Sequence, residues 1–253
     1  MFRKFPRSVQ RFLGFSWSYL IYYGVPFHHF TLTRIYAPLI RPGDLCFDIG
    51  AHLGDRIRAW SKLNARIVAL EPQPGMMEWL RRWYGRYSNV TLIEQAVGAQ
   101  PGEATLWVSQ LTPSVSTISG EWLTKVQQSS RFAGVHWDEQ VTVRVTTLDA
   151  LIMQYGKPAF CKIDVEGAEL DVLLGLSQAI PALSFEYVPA VMDTALGCID
   201  RLAQLGNYQY NWRVSEWPRL RSSRWLSAEE MAAQLQRIPR DGNSGDVYAR
   251  LNA

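Results

Sequence analysis

The pattern of hydrophobic and polar positions alternates between strand-like and helix-like periods from about residue 44 onwards. The predicted strands are 45–49, 66–70, 90–97, 104–108, 141–147, 159–164, 183–187, 208–214 and 246–251, the last two as a closing hairpin. The predicted helices are 55–64, 76–84, 148–155, 168–176 and 190–205. Strands that alternate with helices at this spacing predict an α/β fold, in which helices cover both faces of a mainly parallel sheet.

Two stretches of the chain interrupt this alternation. Residues 109–140 are rich in Ser, Thr and Gln, and residues 215–244 are rich in Arg and Ser. Long connections of this kind run over the surface of a domain and often carry its binding residues. We therefore interpret both stretches as insertions that form loops on the substrate side of the fold.

The first 43 residues differ in composition from the rest of the chain. No Asp or Glu precedes Asp44, whereas basic and bulky aromatic residues are frequent there, among them Arg3, Lys4, Arg7, Arg11, Arg34 and Arg41, and Phe12, Phe15, Trp17, Tyr19, Tyr22 and Tyr23. We predict a helical extension over residues 1–43, followed by a domain of residues 44–253. The extension either packs over the core, covers a substrate site as a lid, or makes peripheral contact with a membrane.

Composition narrows the class of protein. With 47% hydrophobic and 19% charged residues in 253 positions, the chain can bury the core of one large α/β domain. A formal net charge of only +3 does not favour nucleic-acid binding. The three cysteines, Cys46, Cys161 and Cys198, do not suggest a disulfide framework, which favours a reducing compartment and hence the cytoplasm. No apolar run reaches the ~18 residues of a membrane-spanning helix.

The strongest chemical signal is the segment from Asp48 to Gly54, Asp-Ile-Gly-Ala-His-Leu-Gly, between a predicted strand and a predicted helix. Its glycines let the backbone turn sharply and approach a ligand closely, and the start of the helix supplies free N–H groups. A dinucleotide fingerprint has closer glycines and binds a pyrophosphate, which Asp48 would repel. The carboxylate of Asp48 can instead accept hydrogen bonds from an ammonium group. This charge pattern favours S-adenosylmethionine, which carries a cation and no phosphate.

A second signal is Glu71, which directly follows the next predicted strand, 21 residues after Gly50. An acid at this place in nucleotide-binding folds accepts hydrogen bonds from ribose hydroxyls. Pro72 and Pro74 then turn the chain into the following helix. We expect Glu71 to bind the ribose of the same ligand.

A third signal is the segment from Lys162 to Glu169, Lys-Ile-Asp-Val-Glu-Gly-Ala-Glu, which also joins a strand to a helix. Its three acids lie at the carboxyl end of a predicted central strand, where α/β folds bind ligands. Asp164 is the acid that we expect to point into the site. Glu169 either shares that role or only stabilises the start of the helix, where a negative charge is favourable.

Together these segments resemble the FkbM-type family of S-adenosylmethionine-dependent methyltransferases. The resemblance covers about residues 41–190 in order and spacing, through the segments 48–54, 69–74, 89–102, 147–149, 162–169, 172–175 and 185–187; residues 245–250 resemble the family's closing strand. It implies a Rossmann-like class I methyltransferase fold, with a seven-stranded, mainly parallel sheet whose last strand is antiparallel.

The resemblance also implies a cofactor site. It implies that the amino-acid end of S-adenosylmethionine is lined by Asp48, Gly50, Ala51, His52 and Gly54. It implies that the ribose and adenine are bordered by Glu71, Pro72, Gln95 and Ala96. His52 departs from the family, which often has Asn there, although histidine can still donate one hydrogen bond. Known members commonly methylate hydroxyls, which implies a hydroxylated small molecule, such as a sugar or natural product, or a glycan as acceptor.

Methyl transfer from a sulfonium is an in-line displacement, and a hydroxyl acceptor benefits from a general base that takes its proton. Asp164 is our first candidate for that base, and it also borders the cofactor, because it ends the strand beside the cofactor turn. His136 is the rival, since histidine titrates near neutral pH and this one lies in a polar insertion. Glu186 ends the next strand and can orient the acceptor.

Glu186 and Asp164 together also offer oxygen ligands to a divalent metal. We do not favour a metal, and no cluster of His and Cys suggests zinc. Three hydroxyl side chains of the first insertion either contact the acceptor or simply belong to a polar loop; they are Ser114, Ser116 and Thr117.

Three other functions compete with an O-methyltransferase. A nicotinamide-dependent oxidoreductase is disfavoured because the closely spaced glycines are missing. Methylation of protein or RNA lacks support, since no Asn-Pro-Pro-Tyr-type tetrapeptide and no basic stripe occur in the domain. A non-catalytic Rossmann-like binding module is disfavoured by the intact acids Asp48, Glu71 and Asp164.

Overall fold

The computed structural model describes residues 6, 9, 13–16, 19, 20, 28–215, 217 and 219–252. The strands in chain order are β1 (Leu45–Ile49), β2 (Arg66–Leu70), β3 (Val90–Ile93), β4 (Ala96–Val97), β5 (Gly102–Val108), β6 (Glu139–Thr146), β7 (Phe160–Ile163), β8 (Ala182–Tyr187), β9 (Tyr208–Val214) and β10 (Gly245–Leu251). The helices are α1 (His28–Tyr36), α2 (Asp55–Lys62), α3 (Pro74–Tyr84), α4 (Gly120–Val126), α5 (Leu148–Tyr155), α6 (Glu169–Leu174), α7 (Met192–Leu205) and α8 (Ala228–Gln236).

The main sheet confirms the predicted fold class. Among the described residues, seven strands form it in the order β3-β2-β1-β7-β8-β10-β9. The pairs from β3 to β8 are parallel, whereas β10 lies antiparallel between β8 and β9. The closing pair of strands and the antiparallel last strand are therefore as expected, and the carboxyl ends of β1, β2, β7 and β8 meet at one edge.

Helices cover both faces of this sheet because side chains alternate along each strand. On one face, Phe47 and Phe185 pack in a core with residues of α5, α6, α7 and α8. On the other face, Phe160 packs against Tyr36 of α1 and Trp60 of α2, with ring centroids 5.4 and 5.8 Å away. All three cysteines are buried and free.

The interruptions of the alternation contain more structure than the sequence predicts. The expected strand 90–97 is two strands: β3 joins the main sheet, while β4 turns away and pairs with β6 in a small sheet of order β4-β6-β5. The first insertion contains α4. The second contains α8, which starts with a capping box in which Ser227 and Glu230 satisfy each other's backbone N–H groups.

Part of the predicted N-terminal extension lies outside the described residues, including the basic positions Arg3, Lys4, Arg7 and Arg11, so the lid and the membrane contact stay predictions. Its described end packs on the core: Leu32, Tyr36 and Ile40 are buried. Further upstream, Phe15 stacks on Trp79 of α3 with ring centroids 4.0 Å apart. None of the helices in the described part of the chain has the length and apolar character needed to cross a membrane.

Candidate active site

The turn between β1 and α2 is shaped by close backbone contacts. Gly50 has φ +85°, and a Cβ there would lie 1.9 Å from the carbonyl oxygen of Asp164, so only glycine fits. The backbone N–H groups of Gly50 and Ala51 both donate to the carbonyl of Leu70, at 2.9 Å each. The end of β1 is thereby pinned between the ends of β2 and β7.

Glu71 ties this turn to the next one. Its carboxylate accepts from the backbone N–H of His52 at 2.8 Å and from that of Gln73 at 2.9 Å, one bond on each oxygen. Burial raises the pKa of Glu71 to about 7. Each carboxylate oxygen has a further lone pair, so the side chain can accept from two hydroxyls of a ligand while it holds both turns.

Asp48 is a buried acid with one carboxylate oxygen that can still accept a hydrogen bond. It is only 2% exposed, and its Oδ2 has no hydrogen-bond partner among the described residues. Burial raises its pKa to about 7, while the same effect lowers the pKa of nearby His52 to about 4 and keeps that imidazole neutral. A cationic group of a ligand would compensate Asp48 directly.

Two neighbouring cavities open beside these residues. The first has about 530 Å³ of empty space, and the predicted residues that line it are Gly50, His52, Glu71, Pro72, Gln95, Ala96 and Asp164. The second has about 400 Å³, and the predicted residues that line it are Asp48, Gly50, Ala51, His52 and Asp164. The structure thus brings together residues from four separate segments that the sequence assigned to one ligand.

Gly54 is the predicted cofactor residue that the structure places elsewhere. It precedes α2 and packs against the side chains of Tyr84 and Leu80, and it does not line either of these cavities. The missing side chain of Gly54 lets α2 pack closely on α3, and the expected contact of Gly54 with a ligand stays a prediction that neither cavity supports.

A third cavity of about 860 Å³ adjoins the other two and is mainly polar. The residues that line it are Arg56, Ser114, Val115, Arg131, Phe132, Asp164, Glu166, Glu186, Val188, Ser215, Ser244, Gly245 and Asp246. Asp164 and Glu166 line all three cavities. They therefore border both the space beside the glycine turn and the adjoining polar space.

A chain of buried charges supports Asp164 from behind. The ammonium of Lys162, which is fully buried, lies 3.1 Å from Asp164 and 2.8 Å from Asp246. Asp246 in turn accepts from Nε and Nη2 of Arg213 at 2.9 and 2.6 Å. Burial alone would lower the pKa of Lys162 and raise that of Asp246. The ion pairs outweigh burial: Asp164 and Asp246 raise the pKa of Lys162, and Lys162 and Arg213 hold the pKa of Asp246 below its usual range.

Three carboxylates face one another in the third cavity. Asp164, Glu166 and Glu186 can each present one oxygen within 4.8 Å of the others. Burial and then the neighbouring acids raise the pKa of Glu166 and Glu186 above the ordinary range. Carboxyl groups this close together either share protons or share a divalent cation. The expected alternatives for Glu186, orienting the acceptor or binding a metal together with Asp164, both stay predictions.

The first insertion holds the turn that follows β7. Glu166 has φ +54°, a left-handed conformation, and its carbonyl accepts from Thr117 Oγ1 at 2.7 Å. A Cβ on Gly167 would lie 2.1 Å from the ring of Trp122, so α4 packs directly on this turn. Glu169 accepts from the backbone N–H groups of Val165 and Gly167, which assigns it a structural role. Of the three predicted hydroxyls, Ser114 lines the cavities most widely, whereas Ser116 donates to the carbonyl of Pro113.

His136 is separated from the other candidates. It lies on an exposed part of the first insertion and is not among the residues that line the three cavities. The structure therefore does not bring His136 together with Asp164, and the rival role of His136 as a base stays a prediction that this placement does not support.

Four charged residues at or behind the site were not predicted from the sequence: Arg56, Lys162 as a partner of Asp164, Arg213 and Asp246. A signal existed for two of them. Lys162 is the one charged residue in the apolar strand β7, and Asp246 lies in the closing strand among apolar neighbours. Charged residues inside buried strands need a partner, so this pattern indicates a pair, but it does not say which residues pair.

The sequence model of the family described as "Methyltransferase FkbM domain" matches residues 48–189. That stretch contains Asp48, Glu71, Asp164 and Glu186, and it ends before Arg213 and Asp246. It spans more than half of the chain. No curated protein sequence matches the chain significantly.

Several solved structures resemble the chain at low identity. Precorrin-6Y C5,15-methyltransferase from Geobacter metallireducens GS-15 matches with 16% identity and a TM-score of 0.44, over 89% of this chain and 87% of that one. A TehB-like SAM-dependent methyltransferase from Corynebacterium glutamicum ATCC 13032 Kitasato matches with 9% identity and a TM-score of 0.49, over 98% and 100%. Fibrillarin from Aeropyrum pernix, solved with natively bound S-adenosyl-L-methionine, matches with 12% identity and a TM-score of 0.41, over 83% and 68%.

Proposed function

This chain belongs to the FkbM methyltransferase domain family, and we propose that it transfers the methyl group of S-adenosylmethionine to a hydroxyl oxygen of a sugar, a glycan or a natural-product-like small molecule. The observation that carries the proposal is the position of Asp164, which lines the two cavities beside the glycine turn and the adjoining polar cavity.

The residues beside the glycine turn fit an adenosyl ligand with an amino-acid end. Asp48 has an unpartnered, buried carboxylate oxygen that suits an ammonium group. Glu71 suits the two ribose hydroxyls, and Gln95 and Ala96 lie in the same cavity, where they can border an adenine. S-adenosylmethionine, when bound, supplies a methyl group on a positively charged sulfur.

Asp164 is suited to act as the base. The acceptor oxygen forms its new bond to the methyl carbon while the carbon–sulfur bond breaks, and the acceptor's proton passes to the carboxylate of Asp164. The ammonium of Lys162 lies 3.1 Å from that carboxylate and is placed to fix its position. Glu166 and Glu186, whose raised pKa values favour the protonated form, can donate hydrogen bonds to other hydroxyls of the acceptor.

The composition of the third cavity supports a polyhydroxylated acceptor. Its lining combines carboxyl groups, serine hydroxyls and the guanidinium of Arg131 with a smaller apolar surface from Val115 and Phe132. Polar groups that surround a ring together with an apolar contact suit a sugar-like molecule.

The test combines binding with turnover. Purified protein is titrated calorimetrically with S-adenosylhomocysteine, and then incubated with S-[methyl-14C]adenosylmethionine and a panel of glycosides, each paired with its deoxy analogue. We expect binding of the nucleoside, and a labelled methyl ether from at least one glycoside but not from the analogue that lacks the reacting hydroxyl. Absence of nucleoside binding would overturn the proposal, and labelling of amines, protein or RNA alone would replace the acceptor class.

A further inference from the structure

Arg56 occupies a position that the proposed reaction leaves without a role. It is the second residue of α2, and its side chain is only 9% exposed. Its Nη1 donates to Asp55 at 2.5 Å, and the other oxygen of Asp55 accepts from the backbone N–H of Arg56 at 2.9 Å. The guanidinium is therefore held in one place, and the ordering of a long side chain has already been achieved before a ligand binds.

The guanidinium borders the cavity that also contains Asp48. Arg56, Asp48 and His52 all line the second cavity, and the positive charge of Arg56 partly offsets the burial that raises the pKa of Asp48. Asp48 and Arg56 thus present opposite charges to the same small volume, which Asp55, Lys162, Asp164 and Glu166 also border.

The amino-acid end of S-adenosylmethionine carries both an ammonium and a carboxylate. Among the described residues that line the second cavity, the cations are Arg56 and Lys162. Lys162 already lies between two carboxylates, those of Asp164 and Asp246. A guanidinium has five N–H donors and can contact a second carboxylate while it remains bound to Asp55.

We propose that Arg56 binds the carboxylate of the cofactor's amino-acid end, so that Arg56 and Asp48 recognise the two opposite charges of one zwitterion. This inference rests on the proposed use of S-adenosylmethionine. Arg56 then selects nucleosides that carry a complete amino acid over adenosyl thioethers that lack the carboxylate.

The experiment compares two ligands and four proteins by calorimetry, one of the proteins being a control. One ligand is S-adenosylhomocysteine; the other is 5′-deoxy-5′-(3-aminopropylthio)adenosine, which keeps the ammonium but has no carboxylate. The proteins are the unchanged chain, Arg56→Gln and Arg56→Lys. An Arg58→Gln variant, changed on the same helix two residues further on, is the matched control, and thermal melting checks that each variant is folded.

We expect Arg56→Gln to weaken binding of S-adenosylhomocysteine roughly 10- to 100-fold and to leave binding of the decarboxylated ligand nearly unchanged. Arg56→Lys should give an intermediate loss, because an ammonium replaces a two-pronged donor. Equal losses for both ligands, or no loss for either, would overturn the role of Arg56. If the unchanged protein binds neither nucleoside, the proposed function itself fails, and this result is distinct from the other two.

Discussion

The two sides of the cleft, which we propose as the cofactor side and the acceptor side, are built in different ways. On the cofactor side, short turns after β1 and β2 are held by backbone hydrogen bonds, such as those from His52 and Gln73 to Glu71. On the acceptor side, the lining comes from both insertions, from β8 and from the closing strand β10. The cofactor side depends on local turns with fixed geometry, whereas the acceptor side depends on distant segments and buried charges. The acceptor can therefore change through the insertions while the cofactor side stays intact.

The sharpest way to separate the two sides is to change Asp164, which borders both. We expect Asp164→Asn to lower turnover by about 10²- to 10⁴-fold, because the amide cannot take the acceptor's proton. Affinity for S-adenosylhomocysteine, measured by calorimetry, should change far less. If turnover with a responsive acceptor stays normal, Asp164 is not the base; if affinity falls as much as turnover, Asp164 belongs to the cofactor side alone.

The closing strand offers a second test, because its Asp246 pairs with two buried cations beside the acceptor side, Lys162 and Arg213. Asp246→Asn leaves the buried cations Lys162 and Arg213 with one carboxylate fewer, and we expect a loss of about 3–5 kcal/mol in the free energy of unfolding. Denaturant titration measures this loss. Glu121→Gln, which removes an exposed ion pair with Lys125, is the control and should leave the midpoint unchanged. Similar midpoints for both variants would show that the buried charges do not stabilise the fold.

The pH dependence of cofactor binding probes the other side. Asp48 and Glu71 have pKa values raised to about 7 by burial, so both bind protons below that pH in the free protein. An ammonium beside Asp48 and hydroxyls that donate to Glu71 favour the ionised forms, so binding releases protons below pH 7. Affinity for S-adenosylhomocysteine should thus fall as the pH falls from 8 to 6, by up to about tenfold per pH unit for each group.

Calorimetry at pH 6, 7 and 8, in two buffers with different heats of ionisation, measures both the affinity and the protons released. Asp48→Asn should remove one of the two contributions and make the dependence shallower. Equal affinity at pH 6 and pH 8, or an uptake of protons at pH 6, would contradict the assignment of Asp48 and Glu71.

Removal of divalent metal should have the smallest effect. Lys162 already compensates Asp164, and the raised pKa values of Glu166 and Glu186 allow protons to compensate the remaining charge. We therefore expect turnover to be the same before and after dialysis against EDTA. A loss that magnesium restores would mean that the three carboxylates hold a cation, and the acceptor side would then depend on a metal as well as on the insertions.

Much of the main sheet was predictable from sequence because its signals are local. Apolar runs such as β1 and β2 are bounded by turns, and the glycine turn and Glu71 follow them directly. The small sheet was not predictable, because β4 has only two residues and its partner strand is distant in sequence. Ala96 of β4 lies opposite Val145 of β6. Helix α8 carried a readable capping-box signal, Ser227 and Glu230, within a stretch that its Arg and Ser content suggested was a loop.

The residues of the site also divide into those that local sequence signals predict and those that depend on distant pairing. Asp48, Glu71 and Asp164 follow strands, and strand ends meet at one edge of a parallel sheet, so their proximity could be inferred. The pairing of Lys162 with Asp246 could not, because it depends on which strand neighbours β8 and on the register that places the two side chains on one face. His136 was a candidate by residue type alone, whereas the structure places it on an exposed part of the first insertion, outside the residues that line the three cavities.

The placement of β10 also affects how the protein folds during its synthesis. This strand fills the slot between β8 and β9, yet it is the last of the described strands to leave the ribosome, since synthesis proceeds from the N-terminus. Until it arrives, β8 and β9 have no shared neighbour, and the buried ammonium of Lys162 lacks one of its two counter-charges. A nascent chain interrupted before residue 245 is therefore expected to be a substrate for chaperones and proteases rather than a partly active enzyme.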